Sequence, residues 1–425
     1  MANQDLFISV DEALARILKS IAPLEPIEVD LGKARGLVVS EDVASPVDVP
    51  EFDNSAYDGY AVRAADIDSA RIDAPVPLRV VGEIPAGSTG TVEVGPGTAA
   101  RIMTGAPIPQ GADAVLPFEA TDGVHWAQKI VGTDALVHVV EPTKIGSNIR
   151  RRGGDVRTND VIAPMGTVID AAHIGVLASV GITQLRVHPR ARVAVLPTGD
   201  EIVEIDGSLQ PGQIRNSNAW GLTALIEHYG ATPHRLPIAR DTEDSLRETL
   251  RHGDGSDLIV TIGGVSMGDY DLVRNVIAAE GHIDFWQINM KPGKPLAFGT
   301  VNGTPVVGLP GNPVSSMVGF ELFIRPTLLK MMGHTQINSP TVRARAVQEM
   351  RSSDGKRTFI RVNVDRAGCD FVCIPTGAQD SFRLTSMTAG NGLAIVAEGT
   401  IIQKGEFVTV IALNERELLL LDDGR

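Results

Sequence analysis

The sequence contains little cysteine, and the two cysteines it has do not predict a metal site. Cys369 and Cys373 are the only ones in 425 residues, and they stand four positions apart without a second pair. A structural zinc site uses about four ligands, so this pair falls short of one. We expect buried free thiols instead, which is typical of a reducing compartment.

Long apolar runs and an excess of basic residues are also missing. No stretch reaches the roughly 18 apolar residues that a membrane-spanning helix needs. The N-terminal residues MANQDLFISVDEALARIL are acidic and amphipathic, whereas a secretory signal begins with basic residues. The chain has 38 Lys and Arg against 52 Asp and Glu, a formal net charge of −14. We therefore expect a cytoplasmic protein with no nucleic acid and no membrane as partner.

The order of strand and helix patterns divides the chain into four regions, a multidomain α/β plus β fold class. Residues 47–145 are short strands broken by Gly and Pro, which predicts a β-rich insertion domain. The flanking segments 1–46 and 146–189 are expected to form one discontinuous N-terminal linking domain. Residues 190–335 predict a central α/β domain, and residues 336–425 predict a small C-terminal β domain that resembles a barrel.

The central α/β region alternates strands with helices. ARVAVLPTGDE, HRLPIA and DLIVTIGG are typical strands, and each is followed by a helical pattern. This alternation predicts βαβ units and a mostly parallel sheet.

Four local signals predict where elements begin, turn or break. Ser9 and Glu12 are spaced for a capping box at the first helix, and Asp170 is a candidate N-cap for a second. The Asn-Gly pair at 302–303 predicts a hairpin that extends the central sheet. Pro326 must kink or restart the last helix of the α/β region.

The stretch TIGGVSMGDYD at 261–271 follows a strand and precedes a helical pattern, as a phosphate-binding turn does. Gly263 and Gly264 let the backbone approach a ligand closely, and Ser266 can donate a hydrogen bond to a phosphate oxygen. The lysine of a P-loop is missing from this turn. Asp269 stands there as the expected cap of the next helix.

Acidic side chains follow three strands of the predicted sheet, and basic side chains follow a fourth. The acids are Asp200 and Glu201 after the first strand, Asp241 after the second and Asp271 after the third, and the bases are Lys291 and Lys294 in KPGKP. Taken singly, each is equally explained as a helix cap or a solvated charge. Together at one sheet edge they predict a phosphate or nucleotide pocket, in which the carboxylates bind Mg²⁺.

The stretch GLPGNPVSS forms a third loop at the same predicted edge. Pro310 and Pro313 stiffen this loop, and the backbone N–H groups of the helix that follows are free to bind an anion. The loop therefore adds to the evidence for an anionic ligand.

Motifs in four regions resemble those of the molybdopterin molybdotransferase family, the MoeA type, which is similar to the C-terminal domain of gephyrin. The resemblance spans nearly the whole chain and keeps the family's order. It is carried by NSAYDGYAVR, RIMTGAPIPQGADAVLPFE, GSNIRRRGGDV, LPTGDEI, TIGGVSMGDYD, MKPGKPLAFG, GLPGNPVSS and LTSMTAGNGLAIV. Tyr57, Gly154 and Gly390 depart from the usual family residues, and none of the three removes a proposed functional group.

The resemblance implies an elongated homodimer of four-domain subunits. Such an enzyme inserts molybdate into adenylylated molybdopterin with Mg²⁺, releases AMP and leaves molybdenum cofactor. A molybdopterin adenylyltransferase would be its pathway partner. Its active site would lie between the α/β domain of one subunit and the β insertion of the other.

Matched motif by motif, the resemblance assigns functional side chains to both walls of that site. Glu201, Asp241 and Asp271 would act in catalysis and bind the metal, and Lys291 and Lys294 would hold the phosphates. The remaining assignments are Asp58, Thr104 and Asp155 as catalytic residues, and Gly263, Gly264, Ser266, Pro310, Pro313 and Ser386 as substrate-binding residues. By composition alone Asp58, Thr104 and Asp155 are equally typical of turns.

Two other functions fit parts of the pattern. A molybdopterin adenylyltransferase uses a similar α/β domain, but it is expected to work as a single domain without the three others. A non-enzymatic scaffold of the gephyrin kind is expected to carry a further domain and a linker before residue 1. The motifs in all four regions favour the molybdotransferase.

Overall fold

The chain folds into several sheets in a computed structural model that describes residues 7–88, 91–123, 135–264, 272–353, 355–368 and 370–413. The described strands form one five-stranded sheet, two six-stranded sheets and five smaller ones. Several of the described helices pack on one of the six-stranded sheets, and another packs on a short strand of the N-terminal region. The multidomain α/β plus β class is confirmed, while the domain boundaries stay a prediction.

The first segment consists of one amphipathic helix followed by four short strands. Ser9 Oγ accepts a hydrogen bond from the Glu12 backbone N–H at 3.1 Å, which confirms Ser9 as the cap. The Glu12 carboxylate pairs with Arg16 in place of a reciprocal bond to Ser9, so the capping box is half formed. The elements are α1 (Val10–Ser20), β1 (Ile27–Asp30), β2 (Val38–Val39), β3 (Val43–Ala44) and β4 (Asn54–Ser55).

The insertion is a five-stranded sheet in the order β8-β5-β7-β6-β9. Only β6 and β7 are parallel, because the intervening chain crosses over before it returns. Along β6 the side chains of Leu78 and Val80 are buried in one core cluster and that of Ile84 in another, because a register shift between Val80 and Gly82 changes the face that the strand presents. The strands are β5 (Gly59–Val62), β6 (Val76–Ile84), β7 (Thr98–Ile102), β8 (Ala114–Pro117) and β9 (Leu136–Val139).

After the insertion the chain returns to pair with its own first segment. Strand β10 pairs with β4, β11 with β3, and β12 with both β1 and β2. Asp170 caps the second helix by accepting from the His173 N–H at 2.9 Å, as predicted. The elements are β10 (Ile149–Arg150), β11 (Val161–Ala163), α2 (Ala171–Ser179) and β12 (Gln184–His188).

The central sheet has six strands in the order β16-β13-β17-β21-β20-β18. Three of its five pairings are parallel and two are antiparallel, which confirms a mostly parallel sheet. The elements are β13 (Arg192–Pro197), β14 (Ile202–Val203), β15 (Ile214–Arg215), α3 (Ser217–His228), β16 (Thr232–Arg235), α4 (Glu243–Arg251), β17 (Leu258–Ile262), α5 (Leu272–Glu280), β18 (Gly281–Gln287), β19 (Met290–Lys291), β20 (Pro295–Val301) and β21 (Thr304–Leu309).

Local signals in this domain are mostly confirmed. Asn302 (φ 50°) and Gly303 (φ 81°) form the left-handed turn between β20 and β21. The predicted strand HRLPIA is shifted, since β16 ends at Arg235, although the Leu236 and Ala239 N–H groups still donate to carbonyls of β13.

The last helix of this domain restarts near Pro326, as predicted. Helix α6 (Pro313–Gly319) passes through a π-helical turn at Phe320–Ile324 into α7 (Arg325–Met331), and Pro326 lies in the first turn of α7. Among the helices that the structure describes, none combines the length and the apolar character needed to cross a membrane.

The C-terminal region is a closed barrel, which confirms the predicted barrel-like domain. Strands run in the order β24-β25-β22-β28-β26, and β26 pairs back onto β24. Strand β19 of the central domain joins the outside of β24 in parallel. The elements are β22 (Thr341–Ala346), β23 (Met350–Arg351), β24 (Arg357–Ala367), β25 (Asp370–Pro375), α8 (Thr385–Thr388), β26 (Gly392–Val396), β27 (Ile401–Ile402) and β28 (Phe407–Ala412).

Cys373 is buried inside this barrel as a free thiol, as predicted. Burial raises the pKa of its thiol to about 11, because the apolar surroundings disfavour the thiolate. The thiol is therefore protonated at neutral pH and chemically inert. Cys369 lies outside the described residues.

Candidate active site

A cavity of about 1210 Å³ opens at the carboxyl edge of the central sheet. Pro197 at the end of β13 and Ile262 at the end of β17 form part of its floor. The N-termini of α3 and α6 reach the same cavity through Ser217 and Pro313. Ligands bind at this edge in open α/β sheets, where helix N–H groups are available to anions.

The structure brings several sequence-predicted residues together in this cavity. They come from four loops that are far apart along the chain. The predicted residues that line it are Glu201, Asp241, Gly263, Gly264, Pro310 and Pro313.

A reciprocal pair of hydrogen bonds ties the two acidic loops to each other. The Asp200 N–H donates to Asp241 Oδ2 at 3.3 Å, and the Asp241 N–H donates to Asp200 Oδ1 at 3.3 Å. Gly199 has a φ of +141°, and a Cβ there would lie 2.4 Å from Glu201 Oε2. Only glycine at 199 therefore leaves room for the Glu201 carboxylate to fold back toward the cavity.

The glycine pair after β17 forms a floor with no room for side chains. Gly263 has φ +91°, and a Cβ on it would lie 2.8 Å from the carbonyl oxygen of Thr198. Gly264 has φ +65°, and its Cβ would lie 2.5 Å from Val273 Cγ2. Backbone is therefore exposed to the cavity here, as predicted for a ligand-binding turn. Ser266, Asp269 and Asp271 lie outside the described residues.

Polar residues at the start of α3 also line the cavity, and the sequence reasoning missed them. Asn216 Oδ1 caps α3 by accepting from the Ala219 N–H at 3.4 Å. Asn218 Nδ2 donates to the Gly311 carbonyl at 2.6 Å and so joins α3 to the proline loop. Arg215 donates to the Gly207 carbonyl at 2.9 Å. The signal was the run Arg-Asn-Ser-Asn directly before a helical pattern, which the prediction treated only as a helix start.

The two predicted phosphate-binding lysines lie elsewhere in the structure. Lys291 Nζ donates to Ser353 Oγ at 2.6 Å, and Lys294 Nζ lies 4.6 Å from the centre of the Phe7 ring. Neither is among the described residues that line the cavity. Lys291 follows β18 at the edge of the sheet opposite Asp241, whereas Lys294 stands next to Pro295, which does line the cavity. Five strand spacings of about 4.8 Å separate these edges by roughly 24 Å.

The predicted residues of the insertion form a pair of their own. Asp58 Oδ1 accepts hydrogen bonds from the Thr104 backbone N–H at 2.7 Å and from Thr104 Oγ1 at 2.9 Å. Asp155 lies on an exposed turn whose backbone N–H donates to the Val49 carbonyl at 3.0 Å. These three predicted residues are absent from the described lining of the cavity in the same chain.

Ser386 is buried beneath the cavity wall and does not line it. Its hydroxyl donates to the Arg383 carbonyl at 2.6 Å and accepts from Arg361 Nε at 3.0 Å. Phe382, from the same segment of the barrel, does line the cavity. In this segment the residue that lines the cavity is therefore Phe382, four residues before Ser386.

The oxygen ligands in the cavity suit a hard cation. Within the ranges that the structure describes, no three Asp, Glu, His or Cys side chains cluster closely enough to hold a metal alone. Glu201 and Asp241 nevertheless present two carboxylates to one cavity. Mg²⁺ is typically held by one or two carboxylates together with substrate phosphates and water, so these residues fit that ion.

Family models match most of the chain. The MoeA N-terminal region (domain I and II) matches residues 8–181, a probable molybdopterin binding domain matches residues 194–330, and the MoeA C-terminal region (domain IV) matches residues 343–413. The fold and these matches define one class of protein. It is a multidomain α/β protein with a C-terminal barrel and a cavity at the edge of its central sheet. The chain belongs to the MoeA family.

Named relatives of similar length support the same family. The chain is 39% identical over 401 residues to molybdopterin molybdenumtransferase 2 of Mycobacterium tuberculosis, covering 92% of this chain and 96% of the relative. It is 35% identical to molybdopterin molybdenumtransferase of Haemophilus influenzae, covering 96% and 99%. A crystal structure of the molybdopterin biosynthesis MoeA protein from Pyrococcus horikoshii superimposes with a TM-score of 0.81 at 31% identity, covering 96% and 99%.

Proposed function

We propose that this chain is a molybdopterin molybdenumtransferase, which inserts molybdate into adenylylated molybdopterin in the presence of Mg²⁺ and releases AMP. The observation that carries the proposal is the cavity at the carboxyl edge of the central sheet. It combines two carboxylates, Glu201 and Asp241, with an exposed glycine backbone and two helix N-termini. Such a site suits a phosphate-containing substrate that binds together with a metal ion.

In this proposal Glu201, Asp241 and Asp271 hold Mg²⁺, which when bound polarises phosphoryl oxygens and neutralises their charge. The Asp200–Asp241 hydrogen bonds fix the Asp241 loop before substrate binds. This preorganisation lowers the cost of arranging the charges when the pyrophosphate link is cleaved.

Backbone and amide groups bind the phosphates on the other side of the cavity. Gly263 and Gly264 let the pyrophosphate approach the main chain, and the first N–H groups of α3 face anionic oxygens. Asn218 holds the proline loop of α6 against α3, so the two helix ends stay in register. Molybdate enters as the second substrate, and its oxyanion is repelled less once the metal has neutralised the carboxylates.

The second wall of the site comes from the β insertion of a partner subunit in a homodimer. The supporting observation is that Asp58 and Thr104 form a preset pair on an exposed surface and do not line the cavity of their own chain. Asp155, also exposed, stands on the same side in this proposal. The dimer is expected to act in the cytoplasm, downstream of a molybdopterin adenylyltransferase.

The direct test is AMP release from adenylylated molybdopterin by the purified chain. Release that requires both molybdate and Mg²⁺ is the expected result. Consumption of ATP without any dependence on molybdate would replace the proposal with adenylyl transfer. Binding of substrate without turnover under any metal condition would contradict an enzymatic role.

Mixing two inactive variants tests the shared site. Asp58→Ala and Asp241→Ala each remove one wall, so each homodimer is expected to lose activity. A heterodimer of the two keeps one intact site of its two, so mixed subunits should regain activity. Sedimentation in the same buffer measures the dimer, and an active monomer or a failure to complement would contradict the shared wall.

A further inference from the structure

Phe382 is an exposed aromatic side chain on the wall of the cavity. Its relative exposure is 65%, although it lies in a barrel whose other large apolar side chains are mostly packed inside. It is the one aromatic residue among the described residues that line the cavity. An apolar ring that is exposed to solvent beside a ligand cavity becomes buried when a ligand covers it. This burial contributes favourable free energy to ligand binding.

The segment that carries Phe382 is fixed in place by a buried arginine. Arg361 has a relative exposure of only 1% and donates to the Gln379 carbonyl and the Asp380 carbonyl, each at 3.1 Å. Its third donor, Nε, reaches Ser386 Oγ at 3.0 Å. A guanidinium this deeply buried is committed to structure, and here it holds both ends of the segment on either side of Phe382.

A second contact joins this segment to the central domain. The Val314 N–H at the start of α6 donates to the Ser381 carbonyl at 3.1 Å, which places Phe382 beside the proline loop. The Arg383 guanidinium lies 5.6 Å from the ring centre and is itself held by Asp380 at 2.9 Å. The position of the Phe382 ring is therefore fixed by contacts within its own segment and with the central domain.

The cavity consequently has two chemically different sides. The carboxylates of Glu201 and Asp241 come from the loops after β13 and β16, while Phe382 stands with Pro310 and Pro313 at the α6 side. A metal ion held by the two carboxylates would attract the phosphates, and an apolar wall with one ring suits a flat heterocycle.

We infer that Phe382 stacks on a planar heteroaromatic ring of the substrate, with the phosphates directed toward Glu201 and Asp241. The inference rests on the proposed function, because adenylylated molybdopterin carries two such rings, an adenine and a pterin. Both offer the same stacking chemistry, and separate probes distinguish them.

The test measures binding without turnover. Titration calorimetry on the full chain would use AMP, 6-carboxypterin and inorganic pyrophosphate as three separate ligands. Phe382→Leu keeps an apolar side chain but removes the ring, and it should weaken either AMP or 6-carboxypterin about tenfold, as expected for the loss of one stacking contact. Phe382→Tyr keeps the ring and should bind within about twofold of the parent, and pyrophosphate binding should be unchanged in both.

A matched control is Phe407→Leu, which alters an exposed phenylalanine of the barrel that does not line the cavity. Wild-type affinity of Phe382→Leu for both ring ligands would overturn the inference, as would a parent chain that binds neither of them. A change in sedimentation mass for Phe382→Leu alone would instead assign the ring to a subunit contact and also overturn it. If the parent binds a ring but never releases AMP, the proposed function fails while the stacking contact stands.

Discussion

The two ends of the central sheet's carboxyl edge carry opposite charges and are organised differently. At the β16 and β13 end, Asp241 and Asp200 are bound to each other's backbone, and Glu201 folds over a glycine. At the β18 end, Lys291 and Lys294 contact Ser353 and Phe7. The acidic side chains are therefore held in place within the cavity, whereas the two lysines contact residues that do not line it.

The difference shows that acidic and basic side chains at one sheet edge can be held by different parts of the molecule. Strand β19, which carries Lys291, leaves the central sheet and pairs with β24 of the barrel, opposite Thr358. The barrel therefore positions Lys291 more directly than the central sheet does. A ligand that uses both ends must be long, or one of the side chains must move when the ligand binds.

The largest effect is expected at the acidic end. Asp241→Ala should lower kcat/KM for molybdate-dependent AMP release about 100-fold, since it removes a proposed ligand of the Mg²⁺ that neutralises the reacting phosphates. Asp244→Ala is the matched control, because this acid is fully exposed on α4. Equal activity of the two variants would show that the acidic end has no part in the reaction.

The second-largest effect is a loss of stability, expected at Gly263 in the floor of the cavity. Gly263→Ala combines a strained φ with a contact 2.8 Å from the Thr198 oxygen, so it should destabilise the domain by about 2 kcal/mol. Gly212→Ala has a similar φ of +87° with open space around it, and it should cost about 1 kcal/mol. Chemical denaturation of both variants measures the difference. Equal losses would mean that the loop shifts to accommodate the methyl group.

A smaller effect is expected at the basic end. Lys294→Ala should raise KM for adenylylated molybdopterin about tenfold and leave kcat nearly unchanged, because a charge that only attracts the phosphates contributes uniform binding. Lys404→Ala, an exposed lysine of the barrel, is the control. A fall in kcat as large as that of Asp241→Ala would place the two ends in one site and remove the contrast between them.

The smallest effect should come from freeing Lys291. Ser353→Ala removes the acceptor at 2.6 Å, so the ammonium group becomes available to a phosphate without breaking a strong bond. KM should fall about twofold if the lysine reaches substrate. Steady-state kinetics at low ionic strength measure this best, since salt screens the attraction. A rise in KM would show that Ser353 positions the lysine for substrate.

Local features of the fold were predictable because a few neighbouring residues decide them. The Ser9 and Asp170 caps, the turn at 302–303 and the restart at Pro326 depend on side-chain hydrogen bonds or backbone angles within about four residues. The alternation of strands and helices likewise predicted a mostly parallel sheet.

The lysine positions were not predictable in the same way, because they depend on strand order. The sequence places Lys291 and Lys294 after a strand but does not say that this strand lies at the far edge of the sheet. It also does not reveal that β19 pairs with the barrel. Asn218 and Phe382 were missed for a related reason, since their neighbours in the cavity come from distant parts of the chain.

The β insertion leaves and re-enters the linking region through one pair of strands. Asn54 pairs with Arg150 and Ser55 with Ile149, so the entry and exit points of the insertion are adjacent. A segment attached in this way can be exchanged or deleted by joining two neighbouring strands, and the rest of the chain keeps its path. In topological terms the insertion is one self-contained excursion of the chain, attached to the rest of the molecule at this strand pair.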